Sequence, residues 1–148
     1  MSIEDDVALL ERVPTLRLLG SAALRVLAIS SEQQQFARGS ILFRAGDESD
    51  GGFVIQDGAF RIHEDDGNRE VIAERGTLIG ELALIVPMTR PATAIALEYS
   101  TLIRIPRTLF QRVLDSDPEA ARRLRDELAN RTRQATSDIV MASTKLSI

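Results

Sequence analysis

The sequence predicts a mostly β domain with flanking helices, its strands forming an antiparallel sandwich or barrel. Three observations carry this. From about Gln33 to Pro106, glycines fall at 39, 46, 51, 52, 58, 67, 76 and 80, with short apolar or alternating segments between them, the texture of many short strands. Before and after that stretch, apolar residues recur at helical spacing. The chain has 148 residues, 44% hydrophobic and 27% charged, a composition that suits one globular domain with enough chain to bury a core.

The N-terminal helices are expected over 2–30. Ser2 and Asp5 form a capping-box pattern ahead of Val7, Leu9 and Leu10. Pro14 breaks this run before Leu16, Leu18 and Leu19, and Ser21 is expected to cap a second helix with Leu24, Leu27 and Ala28 on one side. Within the β region 33–106, strands are expected at ILF 41–43, FVI 53–55, AFRIHE 59–64, REVIAE 69–74, TAIALE 93–98 and TLIRIP 101–106. Turns are explicit at Asp57-Gly58 and at Asp65-Asp66-Gly67-Asn68.

The C-terminal helices are expected over 107–135. Thr108 opens a short one through Leu109, Val113 and Leu114. Asp117 as N-cap, Pro118 at the first helical position and Glu119 in the first turn announce a longer one, to about Gln134. Its stripe of Ala121, Leu124, Leu128 and Ala135, interrupted at Arg131, suits packing on the barrel or a symmetric pairing across a homodimer. The tail 136–148 is weakly patterned and expected to fray.

Several function classes are excluded or disfavoured. No uncharged apolar stretch approaches the roughly 18 residues of a membrane span, and the acidic start MSIEDDVALLERV is unlike a signal peptide; a cytoplasmic location is expected. Cysteine is absent, which removes disulfides and thiolate chemistry. A net charge of −4 argues against a nucleic-acid partner, and the run Arg122-Arg123-Leu124-Arg125, diluted by Asp126 and Glu127, reads as a solvated helix face. His63 is the only histidine and is expected at the surface; one His cannot supply a metal centre. The turn at 65–68 lacks the spacing and terminal Glu of a calcium loop. No nucleophile elbow occurs, so the chain is not expected to be an enzyme and no cofactor is expected.

The chemistry concentrates in GELALIVPMTRPATA, residues 80–94. Charged side chains are rarely buried without a partner, so Glu81 and Arg90 either pair with each other or face something polar from outside the chain. A single helical turn after Gly80 leaves backbone N–H groups free at its start, which suits an anion. Arg90 on the following loop supplies a guanidinium fork. Glu81 cannot bind that anion and suits a neighbouring hydroxyl. A phosphate beside a sugar hydroxyl is what such a pair would recognise.

This stretch resembles the phosphate-binding cassette of cyclic-nucleotide-binding domains, as found in catabolite-activator-type transcription factors, cyclic-AMP-dependent protein kinase regulatory subunits and cyclic-nucleotide-gated channels. The pattern Gly-Glu, small apolar residues, a loop and Arg-x-Ala-Thr is matched at Gly80, Glu81, Leu82, Ala83, Leu84, Arg90, Ala92 and Thr93. The upstream framework is matched at Gly39, Ile41, Gly46, Asp47, Gly58 and Ile62. The resemblance runs from about Leu16 to Leu114, with the cassette at 80–93. It implies a jelly-roll-like antiparallel β-roll and a non-catalytic sensor of a cyclic purine mononucleotide that signals to an unidentified protein partner. It also implies the roles of the site residues: amides near Leu82 and Ala83 meet the cyclic phosphate, Arg90 neutralises it, Glu81 accepts from the ribose 2′-OH, Gly80 permits close backbone approach, and Val71 lines the base pocket. Pro91 departs from the family, whose small residue there gives the phosphate an N–H; losing that bond costs roughly 1.5–3 kcal/mol. A Thr at this position favours guanine in some members, so Pro91 favours cAMP over cGMP as ligand. An alternative is a protein-interaction module with a degenerate pocket. The chain ends at Ile148, and no DNA-reading helix-turn-helix is expected after the long helix.

Overall fold

The computed structural model describes residues 2–64 and 69–137, the last six of these as helix backbone only. The turn expected at Asp65-Asp66-Gly67-Asn68 and the tail from 138 onward lie outside the described residues. Three helices come first: α1 (Ile3–Glu11), α2 (Pro14–Arg17) and α3 (Ser21–Ser30). Eight strands follow: β1 (Glu32–Phe36), β2 (Ile41–Phe43), β3 (Gly51–Asp57), β4 (Ala59–His63), β5 (Glu70–Glu74), β6 (Leu78–Ile79), β7 (Thr93–Ala96) and β8 (Ser100–Pro106). A short 3-10 turn, Leu82–Leu84, sits between β6 and β7, and α4 (Arg107–Ser116) and α5 (Pro118–Ser137) close the chain.

The strands form two four-stranded antiparallel sheets, ordered β1-β8-β3-β6 and β2-β7-β4-β5. The chain changes sheet between β3 and β4 at the predicted Asp57-Gly58 turn. Gly58 has φ 94°, and a Cβ there would lie 2.1 Å from Ser100 Oγ, so only glycine makes this corner. The Ser100 hydroxyl accepts from Ala59 N–H at 3.2 Å and donates to Glu98 O at 2.9 Å.

Two cores explain the two sheets. Between them lie Phe53, Ile55, Phe60, Ile62, Ala94 and Leu102. On the outer face of the first sheet, Val54, Ile103 and Ile105 pack against Leu10, Leu24, Leu27 and Phe110 of the helices. A sheet covered on both faces needs strands without alternation, and β3 is buried from Gly51 through Gln56. The second sheet has a single covered face, so β4 and β5 alternate. Each fully buried Leu, Ile or Phe contributes roughly 1.5–3 kcal/mol.

Local chemistry sets the helix ends. Ser2 Oγ accepts from Asp5 N–H at 3.1 Å, and Pro14 opens α2. The start of α3 differs from expectation: Gly20, with φ 86°, holds the N-cap position and Ser21 is the first helical residue. Asp117 Oδ1 accepts from Ala120 N–H at 3.1 Å at the start of α5. Arg107, not Thr108, opens α4. On α5 the buried residues are Ala120 and Leu124, so the inward stripe runs through Ala120 rather than Ala121; Ala135 lies beyond the described side chains. Arg123 secures the helix to the N-terminal bundle, donating to Leu18 O at 2.7 Å and Leu19 O at 3.2 Å. Two strands escape the sequence reading, β1 and β6. His63 is half-buried, and its Nδ1 has no hydrogen-bond partner among the described residues.

Candidate ligand-binding site

The cassette begins where β6 ends. Gly80 turns the chain with φ 83° into the 3-10 turn, whose Ala83 and Leu84 are buried. Ala83 N–H donates to Gly80 O at 3.1 Å and Leu84 N–H to Glu81 O at 3.2 Å. The Leu82 amide, ahead of them, has no hydrogen-bond acceptor among the described residues. The loop that follows is stitched to the segment between β2 and β3: Arg90 N–H donates to Asp47 O at 2.7 Å, Gly46 N–H to Arg90 O at 2.8 Å and Ser49 N–H to Met88 O at 3.0 Å. Those backbone bonds fix where Arg90 starts.

The Arg90 side chain is turned inward and only 5% exposed. Its guanidinium carbon lies 4.3 Å from the Phe43 ring centroid and 5.6 Å from that of Phe53, within cation–π range. Nη2 donates to Gly51 O at 2.9 Å, while Nε has no partner. No carboxylate among the described residues pairs with it. Burial draws its pKa below the ordinary guanidinium value, the charge on Asp50 offsetting part of that effect. A Cβ on Gly80 would stand 2.5 Å from Arg90 Nη1. Glycine there makes room for the guanidinium.

A cleft opens beside it. Its lining combines Gly80, Leu82, Ala83, Met88, Arg90, Pro91 and Ala92 from the cassette with Phe43, Ile62 and Ile79 from the strands. Measured out to its mouth the cleft holds about 330 Å³, but only about 10 Å³ of that admits a water-sized sphere, enough for one water. Val71 is half-buried on β5, opposite Ile62 in the register, and is not among the lining residues.

Glu81 does not line the cleft either. The Thr15 hydroxyl of α2 donates to its Oε2 at 2.6 Å, and Arg131 Nη1 of α5 donates to its Oε1. Arg131 Nη2 closes the cluster by donating to Thr15 Oγ1 at 2.9 Å. So Glu81 and Arg90 do not pair with each other. A second arginine also holds the cassette: Arg107 Nε donates to Ala83 O at 2.8 Å and its Nη2 to Ser49 O at 2.7 Å. Sequence reasoning missed Thr15, Arg107 and Arg131 as members of the site. The one available signal was Arg131 breaking the apolar stripe of α5.

The sequence profile of the cyclic nucleotide-binding domain matches residues 33–117. The chain belongs to this family. The match includes the cassette, and the domain's β-roll with flanking helices is found in solved relatives. The N-terminal domain of a transcriptional regulator from Streptomyces coelicolor is 30% identical, with a TM-score of 0.80 over 88% of this chain and 94% of that one. A cyclic nucleotide-binding-like protein from Brucella abortus is 33% identical, with a TM-score of 0.67 over 75% of this domain and 98% of that chain. Among curated relatives, lysophospholipase nte1 of Neurospora crassa is 33% identical over 134 residues, which is 88% of this chain and 8% of that protein. The chain therefore spans under a tenth of that relative's length. Among the described residues, no helix is long and apolar enough to cross a membrane, and no group of three or more His, Cys, Asp or Glu converges on a metal position.

Proposed function

We propose that the domain binds a cyclic purine mononucleotide, cAMP in preference to cGMP, without transforming it. The single observation behind this is Arg90: a buried cation, lacking a carboxylate partner among the described residues and set in the wall of a cleft at the family's cassette position. Burying an unpaired charge is costly, and a phosphodiester entering the cleft would supply the missing counter-charge. On this reading Arg90 neutralises the phosphate and the Leu82 amide donates to it. Ala83 N–H adds a donor once it leaves Gly80 O. Gly80 lets the backbone come close, Pro91 and Ala92 shape the floor, Glu81 accepts from the ribose 2′-hydroxyl, and Val71 meets the base. Binding reaches a protein partner through α4 and α5, because Arg107 and Arg131 connect those helices to the cassette.

A second reading has its own support. Pro91 has no N–H to give, and the cleft admits little more than a water; both favour an interaction module that takes no nucleotide. Titration calorimetry with cAMP and cGMP on nucleotide-stripped protein separates the two. Heat with a micromolar constant, stronger for cAMP, is expected; silence at millimolar nucleotide overturns the proposal and leaves the interaction module.

A further inference from the structure

The second sheet, ordered β2-β7-β4-β5, has its inner face on the core and its outer face open. The open face of an antiparallel sheet is ordinarily polar. Here the register sets Ile41, Ile95, Arg61 and Ile72 side by side, one from each strand. Their chain neighbours Ile62, Ala73, Ala94 and Ala96 belong to the core between the sheets, so this row points outward. Ile41 and Ile72 are 39% and 47% exposed, while Ile95 and Arg61 are half-buried. Leu97, two residues past Ile95, adds a fourth exposed apolar side chain; its N–H donates to Ala59 O at 2.9 Å. The stem of Arg61 continues the row, and its Nε lies 3.3 Å from Glu70 Oε1.

The charges beside this row are sorted by edge. Arg38 and Arg44 flank β2, Glu70 and Glu74 end β5, and all four are exposed. Arg38, Arg44 and Glu74 enter no ion pair among the described residues. Gly39 N–H donates to Ala96 O at 2.8 Å, which sets Arg38 level with the Glu74 end of the sheet. Ala45 N–H donates to Thr93 Oγ1 at 2.9 Å, and Thr93, His63 and Glu70 share a level, so Arg44 stands at the Glu70 end.

We infer that this face docks on the same face of a second copy of the chain. A twofold axis lying between the two faces and parallel to the strands sets β2 of one copy over β5 of the other, level for level. Ile41 then meets Ile72, Ile95 meets the Arg61 stem, Arg38 meets Glu74 and Arg44 meets Glu70, each contact occurring twice. An axis across the strands would instead set the basic edge on itself. Charge complementarity therefore selects both the occupant and its direction. The face spans roughly 300 Å², less than the roughly 800 Å² per partner of a standard interface. The pair is accordingly reversible, forming on the order of 100 µM. The cleft opens on the other side of the sheet, so this surface is independent of the nucleotide reading.

Sedimentation equilibrium of the full chain, up to about 1 mM, tests the pairing with wild type, Ile41→Asp, Arg38→Glu, Glu74→Arg and the double variant Arg38→Glu/Glu74→Arg. All the substituted side chains are exposed, which spares the fold. Expected are a dimer in the wild type, none with Ile41→Asp, and association at least about tenfold weaker in each single charge reversal, since two attractive pairs become repulsive. The double variant, with the pairs reversed, should dimerise within about threefold of the wild type; this recovery also excludes a folding defect in the single variants. A chain monomeric at about 1 mM overturns the inference. So does a dimer indifferent to Ile41→Asp and Arg38→Glu, as one joined through α5 would be, or a double variant no better than the singles.

Discussion

Glu81 and Arg90 belong to one short segment, carry opposite charges and meet opposite surroundings. Glu81 is partly exposed and paired on each oxygen, by a hydroxyl from α2 and a guanidinium from α5. Arg90 is buried over the rings of Phe43 and Phe53, with one backbone carbonyl and no ion pair among the described residues. The carboxylate behaves as a joint between elements. The guanidinium is a charge without a counterpart, held in place by aromatic faces and by the backbone bonds of its own loop. A charge satisfied inside the fold reports on architecture, and one buried unsatisfied points outward to a ligand.

The sharpest way to break this contrast is to remove the cation. Arg90→Ala should lose roughly 2–5 kcal/mol of cAMP affinity, the usual penalty for deleting one member of a buried charge pair, as read by calorimetry; unchanged affinity would take Arg90 out of the site. Pro91→Ala restores a backbone N–H beside it. Affinity should rise by up to roughly 1.5–3 kcal/mol, reduced by whatever rigidity the proline supplies, and a fall in affinity would show that rigidity dominates. Gly80→Ala places a methyl 2.5 Å from Arg90 Nη1 at φ 83°. It should cost about 1–3 kcal/mol in a denaturant titration and weaken cAMP binding by displacing the guanidinium.

The smallest effect concerns a carboxylate far from the cassette. Asp6, half-buried on α1, accepts from Gln56 Nε2 at 2.8 Å. Burial nonetheless raises its pKa above the ordinary 3.8. A raised carboxyl pKa means the folded chain binds the proton more tightly than the unfolded one, so this group's contribution to stability falls as pH climbs from 3.8 through the folded value. Asp6→Asn should remove that slope and melt slightly above the wild type at neutral pH. Thermal melts across the acid range check both.

How much of this could be read from the sequence depended on how local each cause was. Glycines at tight corners, the Asp117 cap and the alternation of β4 and β5 are set by nearby residues, and they were legible. The strand β1 was not: Glu32-Gln33-Gln34-Gln35-Phe36 has weak strand propensity and is extended because it pairs with β8, Gln34 opposite Leu102. The two-residue β6 is too short to show alternation. Leu124 and Leu128 of the α5 stripe do pack inward, and only Ala121 gives way to its neighbour Ala120, an offset that helical periodicity tolerates. In the site, Glu81 and Arg90 stood out because charge in an apolar run is costly. Their partners did not, because Thr15 and Arg131 arrive from opposite ends of the chain, and no local pattern encodes that meeting.

Thermal melting of wild type and Arg90→Met, each with and without saturating cAMP, tests the central claim most directly. Replacing a buried, unpaired cation by an apolar side chain of similar length should not destabilise the fold. The variant should therefore melt at or above the wild type without nucleotide, and cAMP should raise the melting temperature of the wild type alone. A variant that melts well below the wild type and gains as much from cAMP would contradict the account.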